Sequence, residues 1–84
     1  MDERVEGTLL LLGAAQREFK RLRESLGSSN RLSPRVRHDL QNAVAMVVGF
    51  EELLQEPEED GLVEDAQRAL ARAWQLVAHA CPAA

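Results

Sequence analysis

The sequence predicts an all-α fold, and three observations lead there. No stretch alternates apolar and polar residues with the two-residue period of a half-buried strand. Apolar residues instead recur at spacings of three and four along the chain. Turn-forming residues collect in two short places, Gly27-Ser28-Ser29-Asn30 and Glu56-Pro57-Glu58-Glu59-Asp60-Gly61, which cut the chain into three helical segments.

In the first segment Val5, Leu9, Leu12, Ala15, Phe19, Leu22 and Leu26 share one face, with Arg17, Glu18, Lys20, Arg21, Arg23 and Glu24 on the others. Gly27, just past the last periodic residue, suits a left-handed C-terminal cap. Ser33-Pro34 opens the second helix: a serine hydroxyl accepts from orphan amides of the first turn, and proline at the first helical position forfeits no hydrogen bond. From there Val36, Leu40, Ala43, Val47, Phe50 and Leu54 form a heptad-like seam, widened by Val44, Met46 and Val48. Pro57 biases Glu56 away from helical angles, so this helix should end near Gln55. Glu58, Glu59 and Asp60 complement the N-terminal dipole of the third helix, which runs from about Asp60 to Cys81. Its seam is Val63, Ala66, Leu70, Ala73, Val77 and Ala80, and Pro82 stops it.

Length adds an expectation of its own. A chain of 84 residues buries only roughly 60 to 65 % of the surface its unfolded form exposes, so a lone core is marginal. A single cysteine, Cys81, excludes an internal disulfide framework. The short second connection makes the second and third helices an antiparallel hairpin, and a hairpin cannot enclose a core. The expected architecture is therefore a homodimer in which two hairpins form a four-helix bundle, with the N-terminal helix and loop (residues 1–30) as a separate signalling or packing segment beside a hairpin unit (residues 31–84). The rival is a monomeric three-helix bundle with the first helix as lid.

Composition excludes several classes. Ten Lys and Arg against fourteen Asp and Glu, with three aromatics, Phe19, Phe50 and Trp74, argue against a nucleic-acid binder working through a basic stacking face. No apolar run approaches the roughly 20 residues of a membrane span, and Asp2, Glu3 and Glu6 do not suit the basic start of a signal peptide; a soluble, cytoplasmic chain is expected. Gly-rich phosphate loops and a nucleophile elbow are missing. His79 and Cys81, two residues apart on a helix, point to different sides and find no third ligand, so no metal is expected. His79 instead suits a helix C-terminus.

His38 stands apart from the apolar seam. At 100° per residue it lies roughly opposite Val36 and Leu40, so it should face water, with Asn42, Ala45 and Gly49 along the same strip and Asp39 and Gln41 at its borders. The run Arg37-His38-Asp39-Leu40-Gln41-Asn42, then Gly49-Phe50, then Glu52-Leu53-Leu54 resembles the phosphoacceptor helix of the dimerisation and histidine phosphotransfer domain of two-component sensor histidine kinases. The resemblance covers about Ser33 to Ala80, the third helix matching only as a helix of suitable length.

That resemblance implies a two-component signalling role. His38 would exchange a phosphoryl group with the aspartate of a response-regulator receiver, and a neutral imidazole, with an ordinary pKa near 6.5, carries the necessary lone pair at pH 7. Asp39 would orient the ring or take a proton, and Asn42 would position a water for dephosphorylation. Arg35, Arg37, Gln41, Ala45 and Gly49 would meet the partner. No cofactor is expected within the chain: Mg²⁺ would come with the receiver, and ATP only with a kinase domain, of which these 84 residues carry no motif. The family's proline five residues beyond the histidine is Ala43 here, which leaves helical hydrogen bonding intact and predicts a straighter helix.

Charge agrees with this placement. Arg31, Arg35 and Arg37 gather near His38, while Glu51, Glu52, Glu56, Glu58, Glu59 and Asp60 crowd the far end, so a basic pole sits beneath a net charge of -4. Such a pole would steer an acidic receiver pocket. The alternative from another class is a docking or dimerisation module that binds a receiver or kinase through the same face without chemistry, and a third is a helical assembly segment with an incidental histidine.

Overall fold

The computed structural model describes residues 3–56 and 61–80. They form three helices, α1 (Glu3–Ser28), α2 (Pro34–Gln55) and α3 (Leu62–Ala80). At about 1.5 Å per residue, α1 alone spans about 39 Å. Since the whole body measures 42 × 19 × 16 Å, each helix must double back on the one before. The acidic residues Glu58, Glu59 and Asp60 and the terminal Cys81 and Pro82 lie outside the described residues.

Helix α1 ends differently from the sequence expectation. It runs through Gly27 to Ser28, and the left-handed residue is Asn30, at φ 57°. The Arg31 amide donates to the Leu26 carbonyl at 2.8 Å and the Asn30 amide to the Gly27 carbonyl at 3.3 Å, the paired bonds of a Schellman closure with Asn30 as its pivot. Asparagine tolerates this region better than other non-glycine residues. The Ser29 hydroxyl adds second bonds to the carbonyls of Ser25 and Leu26, which already accept from the amides of Ser29 and Arg31.

The start of α2 is as the sequence predicts. Ser33 is extended, at φ −70° and ψ 161°, and its hydroxyl accepts from the Val36 amide at 3.2 Å, with Pro34 opening the helix. Ser33→Ala removes this cap and is expected to cost about 1 kcal/mol, read as a lower midpoint in urea denaturation. An unchanged midpoint would mean that water satisfies the first turn equally well.

The core is the union of the three predicted stripes. Val5, Leu12, Ala15 and Phe19 of α1 are buried against Leu40, Ala43, Val47 and Leu54 of α2 and Val63, Ala66, Ala73 and Val77 of α3. Leu9, Leu22, Leu26, Val36, Phe50 and Leu70 pack around it half-buried. Ala15, Ala43, Ala66 and Ala73 are closed off completely or nearly so, and these small side chains let the helices approach around Phe19, Leu12, Leu40 and Leu54. Burying a Leu or Phe side chain contributes roughly 1.5 to 3 kcal/mol, so these four residues dominate the packing.

Thus α1 covers the seam that the sequence led us to expect facing a second copy. The hairpin α2–α3 is the most closely packed pair, and α1 lies on both of its arms, mainly on α2. Phe19 is fully buried, and Trp74 meets it edge-on at 4.8 Å and 68° while remaining 42 % exposed. Thr8 joins the buried face of α1, a position the apolar pattern does not mark. At the far end Arg4 of α1 bonds Glu64 in the first turn of α3, and the Arg4 guanidinium holds the Glu64 carboxyl below its ordinary range.

Candidate functional site

His38 lies in the second turn of α2, just past the Ser33 cap, and is exposed. The short Asn30-centred connection carries the chain from the end of α1 straight to this turn, so His38 shares an end of the bundle with the last turns of α1 and α3. Packing of Leu40, Ala43 and Val47 into the core fixes the rotation of α2 and turns the opposite strip outward. Arg35, Arg37, Gln41, Asn42, Ala45 and Gly49 are all exposed with His38, as the spacing predicts.

The imidazole has one hydrogen-bond partner among the described residues. Asn42 Nδ2 lies 3.2 Å from His38 Nε2. The carboxamide carries both a donor and an acceptor, so it can meet Nε2 in either tautomer of the ring. This contact follows from helix geometry, because residues four apart are stacked on one face. Asp39, which the resemblance cast as the ring's partner, is half-buried and makes no hydrogen bond to it. Adjacent helical residues diverge by about 100°, and that divergence separates Asp39 from the ring.

Below the histidine the strip has low relief. Ala45 and Gly49 follow Asn42 at helical spacing, and a Cβ placed on Gly49 would meet nothing within 4 Å. Glycine in a helix interior destabilises it by about 0.8 to 1 kcal/mol relative to alanine. Gly49→Ala is therefore expected to raise stability by up to about 1 kcal/mol. If a partner's backbone must approach this point, the same change weakens its binding. A denaturation midpoint and a binding isotherm on one variant separate the two effects, and gains in both would remove Gly49 from the docking face.

The structure brings together residues that the sequence does not group. Met46 of α2 and Arg68, Ala69, Ala71, Arg72, Gln75, Leu76 and His79 of α3 line an open groove of about 620 Å³ along the α2–α3 hairpin. The signal was present in the spacing of Arg68, Arg72, Gln75 and His79 by four, three and four, which places them on one face of α3. It is a weak signal, because polar and charged residues fill the outward faces of any amphipathic helix. Arg68 is paired with Asp65. The fold also brings Arg21 and Arg23 near the end of α1 to the His38 end, so the basic pole draws on two helices and the turn between them.

Among the described residues no group of three metal-ligating side chains is clustered, and no helix is long and apolar enough to cross a membrane. No family model, curated protein or solved structure matches the chain.

Proposed function

We propose that this chain is a phosphotransfer module of a two-component pathway, taking a phosphoryl group on His38 from, or passing it to, the aspartate of a receiver domain. The observation that carries the reading is an exposed imidazole, bonded only by Asn42 among the described residues, on a helix face of low relief at a basic end of the bundle. In the forward step the lone pair of one ring nitrogen attacks the phosphorus of an acyl phosphate. The phosphorus–oxygen bond to the receiver breaks, the aspartate leaves as carboxylate, and the other ring nitrogen releases its proton to water or to Asp39. The receiver's Mg²⁺ neutralises phosphoryl charge, and Arg35 and Arg37 supply long-range attraction. The spacing of His38, Asp39, Asn42, Gly49 and Phe50 supports this class over a general protein-binding helix.

Docking would run along the exposed α2 strip and onto the adjoining groove, where Arg68 and Arg72 suit the acidic rim of a receiver. Self-association enters this reading through competition: a second hairpin and α1 can cover the same seam, and a four-helix dimer requires α1 to leave it. ATP-dependent phosphorylation would need a separate kinase domain.

The test is transfer of ³²P from receivers phosphorylated with acetyl phosphate, comparing wild type with His38→Ala. Acid-labile, base-stable label on wild type alone is the expected result. Equal label on the two proteins, or none on either across a panel of receivers, would sink the proposal. Saturable receiver binding without label would favour the docking module.

A further inference from the structure

We propose that the outward face of α1 is a weak self-association surface, on which a second copy of the intact bundle lays its own α1 antiparallel. The face is marked first by apolar residues that the bundle leaves uncovered. From Gly7 to Gln16 the chain carries no charge, and Leu9 to Leu12 place a leucine on every side of the helix. A helix that is apolar all round is ordinarily buried all round. Here Leu12 is fully buried and Leu9 half-buried, while Leu11 is 56 % and Leu10 74 % exposed. At 100° per residue Leu10 points about 160° away from the buried Thr8 and Leu12, so it faces away from the hairpin. Gly7 and Ala14 beside it keep the relief low, and a Cβ placed on Gly7 would meet nothing within 4 Å.

The charges on the same face name a second copy as the occupant. Glu3 and Glu6 precede the apolar stretch, Arg17 and Arg21 follow it, and helical spacing puts all four on the outward side with Leu10, exposed. Laid parallel, two such faces set like charge against like. Laid antiparallel with Leu10 of each copy level with Ala14 of the other, they bring Glu3 level with Arg21 and Glu6 within one residue of Arg17. Among the described residues Glu3, Glu6 and Arg17 form no ion pair, and Arg21 has only a loose surface pair with Glu18 at 3.6 Å. One helix from each copy takes part, so the buried area falls below the roughly 1,000 Å² of a stable interface and the dissociation constant is on the order of hundreds of micromolar. At lower concentration the chain is a monomer. Unlike a dimer of hairpins, this pairing leaves α1 on its seam and the His38 strip of α2 open, and it does not rest on the phosphotransfer reading.

Sedimentation of the whole chain at concentrations up to about 1 mM, the regime of weak complexes, tests the pairing. Leu10→Lys should weaken association by about tenfold, because it sets a charge in the centre of the contact, and should leave the denaturation midpoint unchanged because Leu10 lies outside the core. Charge reversal gives the contact a direction. The double variants Glu3→Arg with Glu6→Arg, and Arg17→Glu with Arg21→Glu, should each self-associate about tenfold more weakly, the summed effect of several exposed pairs, whereas an equimolar mixture of the two should recover the dimer. Orientation is read by cross-linking with a short bismaleimide in a Cys81→Ser background. Ala14→Cys should join to itself, and Arg21→Cys, whose two copies would stand about 27 Å apart along an antiparallel pair, should not. A wild type that stays monomeric over the whole range, a Leu10→Lys variant that associates as wild type does, or Arg21→Cys joining as readily as Ala14→Cys would each overturn the proposal.

Discussion

Phe19→Ala is expected to leave much of the chain unfolded at 25 °C. The Phe19 side chain has no exposed surface and packs edge-on against Trp74 with ring centroids 4.8 Å apart. Truncating a buried Phe costs about 3 to 5 kcal/mol when the cavity cannot collapse, and edge-to-face pairing accounts for about 0.5 to 1.5 kcal/mol of such a contact. A domain of this size commands roughly 4 to 13 kcal/mol in all, at 0.05 to 0.15 kcal/mol per residue. One substitution thus removes a large part of the total. Collapse is resisted on the hairpin side, where Ala43, Ala66 and Ala73 are already small and fully buried. Trp74 is the single tryptophan, so its fluorescence reports the neighbouring ring directly beside helical circular dichroism. A midpoint shift worth less than about 1 kcal/mol, against the range for buried Phe, would mean that Phe19 is not the centre of the core.

Removing residues 1–30 should change the oligomeric state. In the intact chain α1 covers Leu40, Ala43, Val47 and Leu54 of α2 together with Val63, Ala66, Ala73 and Val77 of α3. Without it the hairpin presents this seam to water, and a two-helix unit has no other layer to bury it against. A second hairpin offers the same alternation of alanine with larger aliphatic side chains, so the fragment is expected to form a concentration-dependent dimer while the intact chain sediments as a monomer. Tethering explains the difference: α1 is joined to α2 by only five residues, from Ser29 to Ser33, and so competes at a high effective concentration that a separate copy cannot match. A helical, monomeric fragment, or a dimer of the intact chain under the same conditions, would contradict this account of the seam.

The two variants probe different links of one chain of causes. Phe19→Ala asks whether α1 contributes the centre of the core, and truncation asks what the hairpin does when that contribution is absent. Both bear on function through His38. The strip carrying His38, Asn42, Ala45 and Gly49 faces outward because Leu40, Ala43 and Val47 are held inward, so loosening the core should blur the docking face before it alters the chemistry of the ring.

Much of the fold was legible because helical periodicity is a local signal. The Ser33-Pro34 start and the Gln55 end of α2 match the sequence expectation, and every residue predicted to form the seams of α2 and α3 is buried or half-buried. The cap of α1 was misplaced because composition favoured Gly27, whereas the helix continues one residue past it and closes on Asn30, where the Schellman bonds can form. The exposed strip around His38 was legible for the same reason as the core, being its geometric complement. Its internal wiring was less so. The resemblance names both Asp39 and Asn42 beside the ring, and the side chain that bonds it is Asn42, one helical turn on.

By itself, then, the sequence determined three helices, their inward faces and the outward direction of His38, because each of these depends on spacing within a single segment. Which surface would cover the hairpin was decided only in three dimensions. A seam of alanine and aliphatic residues fits α1 or a second hairpin almost equally well, and within the single chain it is the assembled packing that buries Leu12 and Phe19 of α1 among α2 and α3.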